Sequence, residues 1–114
     1  MVIFKFAAPA AHYLFLSTVF PPAPAPEYDL HLFVVGTTPR STAALHNIRA
    51  ICERYLSGRY SLVVTDVQEH PAQAVEEGLL GLPCLIKKRP GLVRRLVGDL
   101  SDHERVLKAL NIGP

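Results

Sequence analysis

The sequence predicts one α/β domain whose strands and helices follow the order βαβαββα. Apolar residues in segment 28–35 follow the pattern of a buried strand, and the segment ends in a tight turn at 36–41. Segment 41–56 carries apolar residues at three- and four-residue spacing, which is typical of an amphipathic helix. Arg89-Pro90-Gly91 is a turn signal between two short strands. A chain of 114 residues with 49% hydrophobic residues can form one hydrophobic core.

The first helix begins in the 36–41 turn and is followed by a second strand. Ser57-Gly58 ends the helix, because glycine accepts the left-handed backbone that helix C-termini adopt. Tyr60–Val67 is rich in β-branched residues and predicts a strand parallel to the first, reached through a right-handed crossover. The helix residues that we expect in the core are Ala44, Leu45, Ile48, Ile51, Cys52 and Tyr55.

The second half of the domain starts with a short helix and a hairpin. Pro71 opens the helix, which is predicted over 72–80 and ends at Gly81. Cys84–Lys88 and Leu92–Val97 then form the antiparallel hairpin.

A last helix is predicted from Ser101 to about Leu110. Ser101 is a natural N-cap, and Glu104, three residues later, would complete a capping box. This helix completes the βαβαββα order.

Residues 1–26 predict a Pro-rich and poorly ordered extension, which leaves residues 27–114 as the folded domain. The run from Pro21 to Pro26 is typical of a stiff linker. The apolar start of the chain weakly imitates a secretory signal, but Pro9 and His12 interrupt it well before the roughly 20 residues that a spanning helix needs. Two cysteines are too few for a secreted disulfide framework, so we expect a cytoplasmic protein that spans no membrane.

Few residues suggest a catalytic, metal or nucleic-acid site. The histidines at 31, 46, 70 and 103 lack a metal-ligand spacing, so we expect neither a metal nor a cofactor. Five basic residues lie between Lys87 and Arg95, but no aromatic residue interleaves with them as single-strand stacking requires. We therefore interpret this run as a hairpin with solvated charges and expect no nucleic-acid partner. No enzymatic activity is predicted.

The strand, turn and helix at 28–58, with Pro83 before a later strand, resemble the thioredoxin fold. Redox thioredoxins carry Cys-x-Pro-Cys in the turn, whereas Thr37-Thr38-Pro39-Arg40 stands here, and none of these side chains forms a thiolate. This likeness implies a cis Leu82-Pro83 bond, since an X-Pro bond permits a sharp turn at little cost. Cys84 follows Pro83 and leaves one alternative open, a redox protein that uses this single thiol. The competing interpretation of Cys84 is a small buried hydrophobe.

A more specific resemblance rests on several short motifs. The stretch from Tyr28 through Thr38, Pro39 and Ser41, the Pro83-x-Leu85 pair and the run from Val93 to Ser101 resemble the KaiB family of cyanobacterial clock proteins. The resemblance runs without a gap over about residues 28–112. The motif residues that it marks as a family signature or partner surface are Tyr28, Thr38, Pro39, Ser41, Arg94, Arg95, Gly98 and Asp99.

The resemblance implies a non-enzymatic regulatory protein. Members of the family bind the ATPase KaiC and then capture KaiA. They interconvert between a ground state, commonly tetrameric, and a thioredoxin-like state, commonly monomeric. Where the family usually reads Gly-Leu-Asp-Leu, this chain has Ala109-Leu110-Asn111-Ile112. Alanine favours helix over glycine, so Ala109 and Asn111 predict that this chain prefers the thioredoxin-like state as a monomer, with the tetramer belonging to the alternative fold.

Overall fold

A computed structural model describes residues 26–112 and, for their backbone alone, residues 3–7. Five strands form one mixed sheet in the order β1-β3-β2-β4-β5. From residue 28 onwards the element order is βαβαββα, as the sequence predicts. The elements are β1 (Ile3–Ala7), β2 (Tyr28–Val34), α1 (Pro39–Tyr55), β3 (Tyr60–Asp66), α2 (Pro71–Glu76), β4 (Cys84–Arg89), β5 (Arg94–Val97) and α3 (His103–Ala109).

The sheet is parallel at its centre and antiparallel towards both edges. β2 and β3 run parallel with Leu30 opposite Leu62, as expected for strands joined by a helical crossover. β4 is antiparallel to β2, β5 is antiparallel to β4, and β1 is antiparallel to β3. The sequence predicts four of these strands and does not predict β1. Residues 8–25 lie outside the described residues, so poor order in the extension stays a prediction for them.

Each face of the sheet buries its own hydrophobic cluster. The larger cluster joins α1 and α3 to the sheet and includes Ile48, Cys52 and Val106, which are at most 1% exposed. The smaller cluster lies on the opposite face and contains Phe33, Cys84 and Ile86, packed by Leu79 and Leu82 from the segment after α2. Alternation along β2 explains this division, because Leu32 and Phe33 point to opposite faces.

Local hydrogen bonds define three helix ends: the start of α1 lies in the predicted turn, and the other two ends differ from the sequence prediction. Thr38 caps α1, since its Oγ1 accepts from Ser41 N at 3.4 Å, and Pro39 fits the first helical turn. α2 ends at Glu76, not near residue 80, and Gly78 follows with φ of +64°. The N-cap of α3 is Asp102, not Ser101, because Asp102 Oδ1 accepts from Arg105 N at 3.2 Å.

The C-terminus of α3 ends in a Schellman motif. Ile112 N donates to Leu107 O at 2.9 Å, and Asn111 N donates to Lys108 O at 3.1 Å. Asn111 has φ of +57°, a left-handed conformation that asparagine tolerates better than most residues. Leu107 and Ile112 both pack against the larger cluster, which provides the hydrophobic contact typical of this motif.

Candidate partner-binding surface

The turn that carries the dithiol in redox thioredoxins is fixed here by hydroxyl and carboxylate groups. Ser41 is 2% exposed, and its Oγ accepts from Val35 N at 3.0 Å. Asp66 Oδ1 accepts from Gly36 N at 3.1 Å and from Gln68 N at 2.9 Å, so it holds the turn to the end of β3. Thr38 is committed to capping α1. These groups shape the turn and include no thiol.

The two thiols are separate and buried. Cys84 is 2% exposed in the smaller cluster, whereas Cys52 lies in the larger cluster on the other side of the sheet. Burial raises the pKa of Cys84 in spite of the nearby Arg95, and burial raises the pKa of Cys52 to about 12. Since the thiolate is the reactive form, this arrangement does not favour redox chemistry at Cys84.

Pro83 is hydrogen-bonded to the loop after β5. The Leu82–Pro83 peptide bond is cis, and Pro83 O accepts from Gly98 N at 2.9 Å. Gly98 has φ of +123°, and a Cβ built on it would lie 3.6 Å from Arg40 Nη2. The start of α1 therefore lies against the loop that contains Gly98 and Asp99.

The loop at 98–102 is ordered by its own hydrogen bonds. Asp99 O accepts from Asn47 Nδ2 at 2.9 Å, and Asp99 Oδ1 accepts from Ser101 N at 3.0 Å. Hydrogen bonds from the Ser101 side chain and backbone lower the pKa of Asp99, and Arg40 adds to this effect. A cavity of about 180 Å³ lies between Arg40, this loop and α3.

Exposed apolar side chains extend this region along β5. Val97 is 45% exposed, and Gly81 packs so closely that an added Cβ would lie 2.8 Å from Val97 Cγ1. Leu80, next to Gly81, is fully exposed. On the same face of the sheet Arg95 Nη1 donates to Glu77 O at 2.6 Å. We name this region the turn–hairpin surface, and its residues are Thr38, Pro39, Arg40, Leu80, Arg95, Val97 and Asp99.

The structure divides the motif residues into three groups. Thr38, Pro39, Arg95 and Asp99 lie on the turn–hairpin surface, and Gly98 lies buried in the loop between Val97 and Asp99. Two of the proposed surface residues have structural positions instead: Tyr28 is 6% exposed in the larger cluster, and Ser41 is buried beneath the turn. Arg94 is exposed but projects from the other face of β5, and Ala109 and Asn111 form the end of α3.

Lys87 corrects the interpretation of the basic run as a set of solvated charges. It is 4% exposed, and its Nζ donates to Pro90 O at 2.6 Å. The register pairs Lys87 with Leu30, which places it on the face of the larger cluster. Burial lowers the pKa of Lys87, and the charge of Arg94 lowers it further. The sequence analysis also does not identify Leu80 as a surface residue. It assigns Leu80 to the helix predicted over 72–80, whereas the structure places this residue in a loop.

Neither metal ligands nor a membrane span emerge from the described part of the chain. Within residues 26–112 no group of three or more His, Cys, Asp or Glu side chains could hold a metal ion. No helix among the same residues is long and apolar enough to cross a membrane.

Comparison with known proteins decides the family. The family model of the KaiB domain matches residues 31–112. The chain belongs to the KaiB family. The circadian clock oscillator protein KaiB of Prochlorococcus marinus (strain MIT 9303) is 46% identical over 90 residues, which are 79% of this chain and 76% of the relative. KaiB of Parasynechococcus marenigrum (strain WH8102) is also 46% identical over 90 residues, covering 79% of this chain and 86% of the relative.

Solved structures establish the fold of this family member. The N-terminal domain of Synechococcus elongatus SasA superposes with a TM-score of 0.62 and 28% identity, covering 83% of this chain and 93% of that domain. Mitochondrial thioredoxin 3 from Saccharomyces cerevisiae also gives a TM-score of 0.62, at 15% identity. This superposition covers 75% of this chain and 78% of the thioredoxin chain. The predicted thioredoxin-like α/β fold is confirmed.

Proposed function

We propose that this chain is a non-enzymatic KaiB-like regulator that binds a KaiC-type ATPase through the turn–hairpin surface and captures a KaiA-type protein in the resulting complex. The observation that carries the proposal is the 46% identity to clock proteins named KaiB across most of the domain. The turn supports it, because hydroxyl and carboxylate groups replace the dithiol of a redox protein.

The turn–hairpin surface has the chemistry of a protein interface. Leu80 and Val97 supply exposed apolar area to this surface, and Arg40, Arg95 and Asp99 supply charged groups. Interfaces commonly combine an apolar centre with a polar rim, and arginine is enriched in them. A folded partner can therefore bury the exposed leucine while it pairs with the charges.

The active form in this proposal is the monomeric thioredoxin-like state in the cytoplasm. Ala109 and Asn111 favour this state, since Ala109 is the last residue of α3 and Asn111 adopts the left-handed position of the helix cap. The ground-state fold of the family would extend part of this segment. The turn–hairpin surface and the α3 cap therefore serve different purposes, one for partner binding and one for the choice of fold.

The test is binding to a purified cyanobacterial KaiC, measured by analytical size exclusion and by fluorescence anisotropy of labelled chain. We expect the wild-type chain to bind and Leu80→Glu to weaken binding at least about tenfold, as expected for loss of an apolar interface centre. The matched control is Leu92→Glu, because Leu92 is 72% exposed in the turn at the far end of the hairpin. Absence of wild-type binding, or equal losses for both variants, would contradict the proposal.

A further inference from the structure

The outer edge of β3 presents unpaired main-chain groups unless another strand covers it. Tyr28 N donates to Arg59 O, and Val67 N donates to Val34 O, each at 2.9 Å. These bonds direct the main-chain groups of the odd-numbered residues around β3 towards β2. The N–H and C=O groups of Leu62 and Val64 therefore point to the outer edge of the sheet.

The composition of β3 makes this edge prone to pairing with another strand. From Tyr60 to Thr65 the strand contains no charge and no proline, and Val63, Val64 and Thr65 are β-branched. Such an edge is a template for strand addition, and proteins usually protect it with charges, proline or a covering segment. The opposite edge, β5, already carries two arginines in four residues. β3 carries a charge only at its last residue, Asp66, so its stretch from Tyr60 to Thr65 has no comparable protection.

The segment Ile3–Ala7 supplies the missing cover. It pairs antiparallel with β3, with Phe4 opposite Val64 and Phe6 opposite Leu62. Since Leu62 and Val64 direct their main-chain groups outwards, Phe4 and Phe6 direct theirs towards β3, and Lys5 directs its own away. The match to the family model begins at residue 31, so this strand lies outside the matched residues.

We propose that Ile3–Ala7 is a built-in cover of the β3 edge that prevents a second copy of this chain from pairing its own β3 there. Two uncovered β3 strands can pair antiparallel about Val63, because Leu62 of one copy then faces Val64 of the other. Both residues have outward main-chain groups, so that register satisfies the hydrogen bonds of the two edges. The cover keeps the domain monomeric by occupying these groups first.

The pairing is tested by amide hydrogen exchange of the full chain. The N–H groups of Leu62 and Val64 are protected if Ile3–Ala7 covers the edge. Phe6→Pro removes a donor that faces β3, so protection of Leu62 should fall by at least about tenfold. Lys5→Pro is the matched control, because its N–H faces away and proline is tolerated on the solvent side of an edge strand. Rapid exchange of Leu62 and Val64 in the wild-type chain would overturn the proposal.

Self-association is tested by light scattering at submillimolar concentration. We expect Phe6→Pro to form dimers, while the wild-type chain and Lys5→Pro stay monomeric. Val63→Lys added to Phe6→Pro should restore the monomer, because antiparallel pairing about this half-buried position sets two like charges against each other. A folded Phe6→Pro variant that exposes Leu62 yet stays monomeric would overturn the proposal. So would global unfolding of Phe6→Pro, since a detachable cover must leave the domain intact.

Discussion

The two residues at the end of α3 provide the sharpest test of how this sequence selects its fold. We predict that the double variant Ala109→Gly/Asn111→Asp, which restores the residues usual in the family, destabilises the thioredoxin-like state and moves the chain towards the alternative fold. Ala109 is the last residue of the helix, and Asn111 is the left-handed residue of its Schellman motif. Both changes act on the same few main-chain groups.

The magnitude follows from these two positions. Replacing a helical alanine by glycine costs about 0.5–1 kcal/mol, because glycine loses more backbone entropy on ordering. An aspartate in place of Asn111 would set a negative charge beside the partial negative charge at the helix C-terminus, at a cost of about 0.3–1 kcal/mol. The combined loss of about 1–2 kcal/mol changes the ratio of the two folds by roughly 5- to 30-fold.

Backbone chemical shifts and molecular mass measure this change. In the wild-type chain we expect helical shifts over His103–Ala109 and a monomer, and in the double variant a fraction with extended shifts and larger mass. Ala50→Gly is the matched control, because Ala50 is exposed in α1, outside the C-terminal segment whose rearrangement we propose. This control should lower overall stability by a similar amount without changing the ratio of folds.

Two results would refute this reasoning. One is a double variant that keeps the α3 helix, remains monomeric and loses no more stability than a few tenths of a kcal/mol. The other is an Ala50→Gly variant that changes the ratio of folds as strongly as the double variant. The first result would mean that the Schellman motif does not limit the stability of this state. The second would mean that helix propensity changes the ratio of folds wherever in the chain the substitution is made.

Three further predictions concern buried polar groups. His31 Nε2 lies 2.8 Å from Thr65 Oγ1. Burial, followed by the charge of Lys88, lowers the pKa of His31, while Glu77 and Asp29 oppose this shift. The unfolded chain therefore binds a proton at His31 more readily than the folded chain does. The free energy of unfolding should thus decrease as pH falls below about 6.5, and it should decrease less in His31→Gln. Urea titrations at several pH values will measure this difference, and identical pH profiles of the two chains would contradict the prediction. Lys87→Met keeps the buried stem and removes a charge that burial penalises, so thermal denaturation should show unchanged stability or a gain of about 1 kcal/mol, and a clear loss would count against it. A thiol-specific disulfide reagent should modify the native chain slowly and the unfolded chain fast; rapid native labelling that Cys84→Ser abolishes would restore the redox alternative.

The sequence predicts most of the fold because hydrophobic alternation and helical spacing are local signals. They place Leu32 and Phe33 in a buried strand and Cys52 in the core, where the structure has them. The N-cap of α3 could not be predicted, because Ser101 and Asp102 are adjacent cap formers and the choice depends on Asp99 accepting the Ser101 N–H. The capping-box rule does not include this hydrogen bond between residues two positions apart.

The candidate surface is predictable only in part for a similar reason. Motif residues such as Gly98 and Asp99 are recognisable in sequence, but the proximity of Arg40 to them depends on how β4 and β5 bring the loop to α1. Burial of Lys87 depends on the register with Leu30, and strand β1 depends on an unoccupied edge elsewhere in the sheet. Such facts belong to strand pairing across long sequence separations, which residue patterns do not encode.

The turn–hairpin surface is assembled from three segments, around residues 38–40, 80 and 95–99, and this has a thermodynamic consequence. The segments meet only when β4 and β5 pair in the observed register and Gly98 N reaches Pro83 O. Any protein that recognises this surface therefore binds only the molecules that hold this fold, so its binding depends on the fraction of such molecules. If the competent fraction were about one part in a hundred, the apparent dissociation constant would be about a hundredfold weaker than the intrinsic one. Under the proposed function, binding strength and fold population would form one linked equilibrium, and we expect a substitution at Ala109, remote from the interface, to change affinity without touching the partner.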